Sequence, residues 1–273
     1  MRLGPNAFVR LCLAALLLGS ASAGRADPAA QNADRAKALA DAAVDALKAK
    51  DNEKARDLAA QAIALQPSVN AIFLHGVACG NLEDWPCAIA DLEKGKSMAA
   101  AGGADAQTLD AIDRNMARAY LFGGRSQEGL DLAAQLKSRD PSSAAEMDGV
   151  VAAYFKNQAV AKMKGGDADG AEALLERGAK LAPTSAAKLY VQAANLLAQK
   201  APPDWNAVEA EARKALAADP GDAQANYVVG IARGNSGDKA GAIAFLQKAQ
   251  ANAGADAELK GDADAALKKL GIQ

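Results

Sequence analysis

The chain has 273 residues, of which 51% are hydrophobic and only 4% aromatic, and roughly 70 alanines fill the gap. Alanine is the strongest helix former, so the composition excludes a large β-protein, which needs more β-branched and aromatic residues, and a highly charged disordered chain. With 31 basic against 33 acidic residues, it also lacks the basic excess by which a protein binds nucleic-acid phosphates.

Residues 1–23 read as a secretory signal. Arg2 and Arg10 precede an apolar run from Leu11 to Leu18, and Ala21, Ser22 and Ala23 supply a small-residue cleavage site. As a helix the run reaches about 12 Å, well short of a hydrocarbon core of roughly 30 Å, which argues against an integral anchor. Cleavage near Ala23 would leave a soluble periplasmic or secreted chain with 29 basic and 33 acidic residues. Residues 24–34 are expected to be a flexible lead-in.

Beyond that segment the sequence repeats itself. A turn followed by a small residue recurs at Asp51 to Ala55, Asp84 to Ala88, Gly124 to Gly129, Asp167 to Ala171, Asp204 to Val208 and Gly237 to Ala242, and most copies close on a proline such as Pro67, Pro141, Pro183 or Pro220. The clearest copy runs from Asn226 to Ala249, with Gly230 in a first helix, Gly237 and Asp238 at the turn, and Ala242 and Ala249 two turns apart on a second helix. These residues resemble the tetratricopeptide repeat, a helical hairpin of about 34 residues. Gly129 and Val208 depart from the usual alanine. The small-residue positions are spaced by 33, 41, 42, 37 and 34 residues. The two long intervals exceed the period by about two helical turns, so longer first helices are expected in repeats three and four.

The resemblance implies an all-α fold: a right-handed superhelical solenoid of about six hairpins at approximately 35–68, 69–103, 104–141, 142–184, 185–220 and 221–254, followed by a capping helix within 255–273. The alanines then sit where helices cross at close range. Leu58, Leu92, Leu132, Leu175 and Leu246 are expected to supply larger core side chains.

Site chemistry is sparse. His75 is the single histidine, beside Gly76 on a packed helix, and is read as structural. No nucleophile elbow accompanies it, the Gly-Gly pairs are interhelical turns, and one histidine with two mature cysteines does not make a zinc site. No cofactor and no enzymatic activity are expected. Loss of Cys12 with the signal leaves Cys79 and Cys87 flanking one turn of repeat two, a candidate disulfide in an oxidising compartment, with two buried thiols as the alternative.

Peptide-binding members of the family use the face lined by first helices. Arg114, Asn115 and Arg118 fall on one side of the third first helix, and Lys156 and Asn157 on the fourth. Phe73, Asn81, Tyr227 and Asn235 extend the candidate lining. The resemblance therefore implies a non-enzymatic scaffold that grips a peptide or partner protein; the signal segment and the composition add the expectation of export to the bacterial periplasm, with a role in cell-envelope assembly. A structural protein that associates with itself through its end helices is the alternative, and a small-molecule binder or enzyme a more remote one.

Overall fold

The computed structural model describes residues 28–272; the signal read over residues 1–23 lies outside them. Among the described residues there are thirteen α-helices and no strand. In chain order they are α1 (Pro28–Lys48), α2 (Asn52–Leu65), α3 (Val69–Asn81), α4 (Trp85–Ala101), α5 (Ala106–Phe122), α6 (Ser126–Arg139), α7 (Ala144–Lys164), α8 (Ala168–Leu181), α9 (Ala186–Ala198), α10 (Trp205–Ala218), α11 (Ala223–Asn235), α12 (Lys239–Asn252) and α13 (Ala257–Lys269). Short 3-10 turns at Pro141–Ser143 and Pro183–Ser185 lead into α7 and α9. No helix among them is long and apolar enough to cross a membrane.

The described residues divide into two compact units, the first ending at Ala104 and the second beginning at Asp105. In the first, α1 pairs with α2 and α3 with α4, and α2 joins the hairpins. In the second, the hairpins α5/α6, α7/α8, α9/α10 and α11/α12 succeed one another, and α13 packs on the last. Each first helix also touches the next: α5 meets α7, α7 meets α9, α9 meets α11, and α11 meets α13. Within this unit one face is thus built from first helices alone.

The long repeat intervals reside in specific helices. The first helices α5 and α7 have 17 and 21 residues against 13 in α3, α9 and α11. Part of the 41-residue interval lies in α4, whose 17 residues exceed the 14 of every other second helix. Residues 28–34, expected as a flexible lead-in, form the first turns of α1; Pro28 sits at the helix start, where its missing N–H costs nothing, and alanines come next.

The recurring turn aspartate is an N-cap. Asp51, Asp84, Asp167 and Asp238 each accept the backbone N–H three residues on, at 3.2, 3.2, 2.9 and 2.8 Å, and Asp204 accepts those of Asn206 and Ala207. Each satisfies a donor that the helix itself cannot. Repeat three lacks the aspartate: Arg125 stands there without a side-chain cap, donating instead to Glu128 at 2.8 Å and lying over the Tyr120 ring at 4.1 Å.

Small residues fill the crossings. Ala55, Ala88, Ala171 and Ala242 are 0% exposed and Val208 1%. Around them Leu92, Leu175 and Leu246 are buried, while Leu58 and Leu132 are half-buried and Leu136 takes the interior place in repeat three. The core is a series of clusters, each drawn from neighbouring hairpins. Gly129 shows why repeat three departs from alanine. A Cβ there would come within 2.7 Å of Leu121 Cγ, 2.8 Å of Leu121 N and 2.9 Å of Ala117 O. Two of those atoms belong to the α5 backbone, which cannot give way as a side-chain end would.

Gly129→Ala should therefore destabilise the protein by about 1–3 kcal/mol through overpacking. Gly149→Ala, in an exposed mid-helix position with nothing within 4 Å of the added carbon, should stabilise by about 0.5–1 kcal/mol. Urea denaturation of the two variants beside the parent chain measures both. Equal effects would mean that the α5/α6 crossing is looser than described.

Candidate functional site

On α7, Lys156, Ala159, Val160, Met163 and Lys164 recur at intervals of three and four and so share one helix face. On α9 and its C-cap, Gln192, Asn195, Leu196 and Gln199 do the same. Because α7 and α9 are successive first helices in contact, the two faces meet in a groove of about 370 Å³, with Leu175 of α8 beneath. Its floor is apolar, formed by Ala159, Val160, Met163, Leu175 and Leu196; its rim carries two lysines and three amides. Val160 remains 45% exposed, unusual for a large aliphatic side chain in this protein. Among the described residues, no side-chain hydrogen bond or ion pair engages Lys156, Lys164, Gln192, Asn195 or Gln199.

The other groove candidates have different surroundings. Arg114 donates to Asp140 at 3.0 Å and faces Glu146 at 3.8 Å, tying α5 to the turn before α7. Asn115 and Asn235 turn back on their own helices, donating to the carbonyls of Ala111 and Ile231 at 2.9 Å each. Arg118 is exposed on α5, and Asn157 is exposed beside Lys156 but outside the groove lining. Tyr227 is half-buried against the core around Val228, and burial, then the Asp262 carboxylate, pushes its hydroxyl up. Phe73 and Asn81 belong to the first unit; Phe73 is half-buried, and Asn81 donates to Asn52 at 3.0 Å, joining the end of α3 to the start of α2. Lys156 is thus the sequence candidate found in the groove. The α9 amides are absent from the sequence candidates, although their spacing of three and four residues is a signal that could have found them.

Polar ties hold the hairpins that carry the groove. Asp148, buried at the start of α7, accepts from Lys137 at 2.6 Å and from the Thr184 backbone and hydroxyl at 2.8 and 2.9 Å. Lys137 also donates to Leu181 O at 3.0 Å. One carboxylate and one ammonium therefore link α6, α7, the end of α8 and the turn into α9. Beyond the groove, Lys214 bridges Glu176 on α8 and Glu211 on α10. Glu209 accepts from Arg213 at 2.8 Å and from Arg233 at 2.9 Å, and Arg233 reaches Asp238 at 3.1 Å, which joins α10, α11 and the cap of α12.

In the first unit, Cys79 and Cys87 are bonded, their Cα atoms 5.9 Å apart. His75 stands beside them, with Nδ1 2.5 Å from Asp91 Oδ2 and 3.9 Å from each sulfur. A Cβ at Gly76 would meet Asp91 Cβ and Leu92 Cγ at 3.1 Å, so the glycine lets α4 approach close enough to set Asp91 against His75. To the one histidine and two cysteines legible in the sequence, the fold adds Asp91, one turn beyond Cys87, as a fourth group. Ligating atoms of all four lie within 4.8 Å of one another.

No family profile and no curated protein matches this chain. Among solved structures it is similar to the TPR2AB domain of yeast Sti1 in its pHSP90 complex, with 16% identity over 89% of this chain and 98% of that one and a TM-score of 0.39. It is also similar to pilF of Pseudomonas aeruginosa, with 13% identity over 86% and 99% and a TM-score of 0.40. YrrB, described as a TPR protein with an unusual peptide-binding site, shows 15% identity over 83% and 90% and a TM-score of 0.34. Likenesses this distant carry no argument about role; the all-α fold rests on the successive helix pairs themselves.

The ties set the response to acid. Hydrogen bonds from Ser142, then Arg114, hold Asp140 below the ordinary 3.8, and Lys214 holds Glu176 below the ordinary 4.5. Burial pulls the Glu209 carboxyl up, but its bonds from Arg233 and Arg213 more than reverse this. A depressed folded value contributes stability that is present above the unfolded value and is lost as pH falls through the folded one. Glu211 runs the other way: burial raises it, so its contribution is present below 4.5 and is lost as pH rises through its folded value. Melting temperature should hold or rise slightly as pH falls from neutral, then drop below about pH 4. Glu209→Gln should flatten that drop. A melting temperature that keeps rising below pH 4 would contradict it.

Proposed function

We propose that this protein is a non-enzymatic interaction scaffold, exported to the bacterial periplasm, that takes an extended segment of a partner protein into the groove between α7 and α9. The supporting observation is the groove itself: an apolar floor, with Val160 exposed and Met163 half-buried, beneath five polar side chains that the fold does not engage. A partner's apolar side chain would be buried on the floor. Gln192, Asn195 and Gln199 can each donate and accept, as a peptide backbone requires, and Lys156 and Lys164 can meet a carboxylate. Export is supported by the basic and apolar segment at residues 1–23 and by the Cys79–Cys87 bond, of a kind that persists in oxidising compartments. A scaffold there works on envelope proteins, and cell-envelope assembly is the role proposed.

The test places a photo-reactive amino acid at position 160 in the native host and identifies the crosslinked protein by mass spectrometry. The purified partner is then bound to the parent chain and to the Gln192→Ala/Asn195→Ala variant. Loss of two hydrogen bonds worth about 0.5–1.5 kcal/mol each should weaken binding by about tenfold. Arg114→Ala with Arg118→Ala should leave affinity within about twofold, since such changes outside the contact add little. Unchanged affinity in the groove variant would overturn this reading, and light scattering that shows a stable oligomer would favour self-association.

A further inference from the structure

The hairpin of α3 and α4 holds a second chemistry. His75 and Cys79 lie one turn apart on α3, and Cys87 and Asp91 one turn apart on α4, so each helix presents two ligands on one face. Zinc takes thiolate, imidazole and carboxylate ligands tetrahedrally, at about 2.3 Å to sulfur and 2.0–2.2 Å to nitrogen or oxygen. Those bond lengths put the corners of the tetrahedron roughly 3.3–3.8 Å apart. Cys87 Sγ lies 3.7 Å from Asp91 Oδ2, and His75 Nδ1 lies 3.9 Å from both sulfurs, so three edges stand within a few tenths of an ångström of that range. Two edges are closed by other bonds: the disulfide, and the 2.5 Å contact between His75 and Asp91.

We propose that on reduction of the Cys79–Cys87 disulfide these four residues form a tetrahedral site for one zinc ion, so that the hairpin is closed by a disulfide or by a metal but never by both. The exchange balances. A dithiol reductant transfers two electrons and two protons to the disulfide, giving two cysteine thiols and its own disulfide. Zinc then displaces both thiol protons to solvent and takes the place of the hydrogen bond between His75 and Asp91, the neutral imidazole carrying its one proton on Nε2 so that Nδ1 is free to ligate. Two thiolates, one carboxylate and a neutral imidazole around Zn²⁺ leave the site with a single negative charge. In reverse, an oxidising disulfide takes two electrons from the thiolates and two protons from solvent, becoming two thiols, and the ion is released. Mixed sulfur, nitrogen and oxygen donors favour zinc over calcium or magnesium, which take oxygen. Access exists for both reagents: the His75 and Asp91 side chains are 20% and 22% exposed, and Cys87 is half-buried. Parting the sulfurs takes rotation about side-chain bonds of two cysteines already facing one another.

The experiment uses the full chain carrying Cys12→Ser, which removes the third thiol. It is reduced with a phosphine, freed of reductant without air, and titrated with cobalt(II), the visible stand-in for zinc. The reduced chain should bind one equivalent with the intense visible bands of tetrahedral cobalt and near-ultraviolet thiolate charge transfer, and zinc should bleach both. The oxidised chain should show neither. Asp91→Asn and His75→Ala should keep the charge transfer but weaken binding by about tenfold or more, as expected when a ligand is lost from a site whose affinity depends on ligand identity and count. Helical circular dichroism is monitored throughout, and the near-isosteric Asp91→Asn carries the test if His75→Ala unfolds. The proposal is overturned if reduced chain shows only the weak spectrum of aqueous cobalt, if both variants match the parent in affinity and spectrum, or if cobalt binds only with loss of helical signal.

Discussion

Every other feature of the structure depends on how closely neighbouring helices approach one another. At the crossings of α5 with α6, α7 with α8, and α11 with α12, glycines stand where even a methyl group would collide, as at Gly129, Gly178 and Gly230. The atoms met there include the α5 backbone beside Gly129, the Phe155 side chain beside Gly178 and Leu246 beside Gly230. Close approach lets a few larger side chains in each cluster fill the interior, and it keeps alanine sufficient elsewhere. Each alanine buries little, on the order of 0.8 kcal/mol per methyl-sized group. Stability is accordingly spread along the stack, as expected of architectures whose repeats contact only their neighbours. The aspartate caps belong to the same economy of short-range contacts, since each satisfies its helix within one turn.

Buried charge enters this apolar scheme where hairpins are joined. Asp148 is nearly inaccessible, yet it receives three hydrogen bonds from residues of two neighbouring hairpins. An unpaired carboxylate in that position would be costly, so Lys137 and Thr184 are obliged to stay. Glu209 plays a similar part between α10 and α11 with two arginines, both of which also lie over the Phe245 ring, at 5.6 and 5.1 Å. Such ties are directional, whereas alanine crossings are not. The Asp148 tie holds the start of α7 against the turn into α9, the two helices that flank the groove.

The parts of this structure legible in the sequence are those carried by local spacing. The turn aspartates, the small residue beyond each of them and the longer first helices of repeats three and four are local or periodic, and they appear in α5, α7 and the caps as single-chain patterns allow. Contacts between elements are harder to read. Nothing around Gly129 in sequence announces that the α5 backbone lies 2.8 Å from its missing Cβ. Arg114 has the chemistry of a ligand-binding residue, but Asp140, 26 positions away, claims it. Asp91 is one of many carboxylates in the sequence, and only the folding of α4 against His75 sets it apart. The groove amides of α9 carry a periodic signal that is easily passed over, because repeat five has few charged residues in its first helix. Residues 28–34 are ambiguous for a different reason: a short alanine-rich stretch after a proline reads as linker or as helix according to the residues C-terminal to it, and here α1 continues unbroken to Lys48.

The division of labour between the alanine crossings and the groove rim bears on how such a protein can change over evolutionary time. Gly129, Asp148 and the capping aspartates are constrained by the atoms they touch, so most replacements there are penalised in the folded chain. Lys156, Gln192, Asn195 and Gln199 hold nothing together. A lineage could exchange them one at a time, acquiring or discarding partners, while the stack beneath kept its architecture. The same separation makes the rim the natural place to engineer a binding specificity, because the side chains tolerated there are not dictated by the fold.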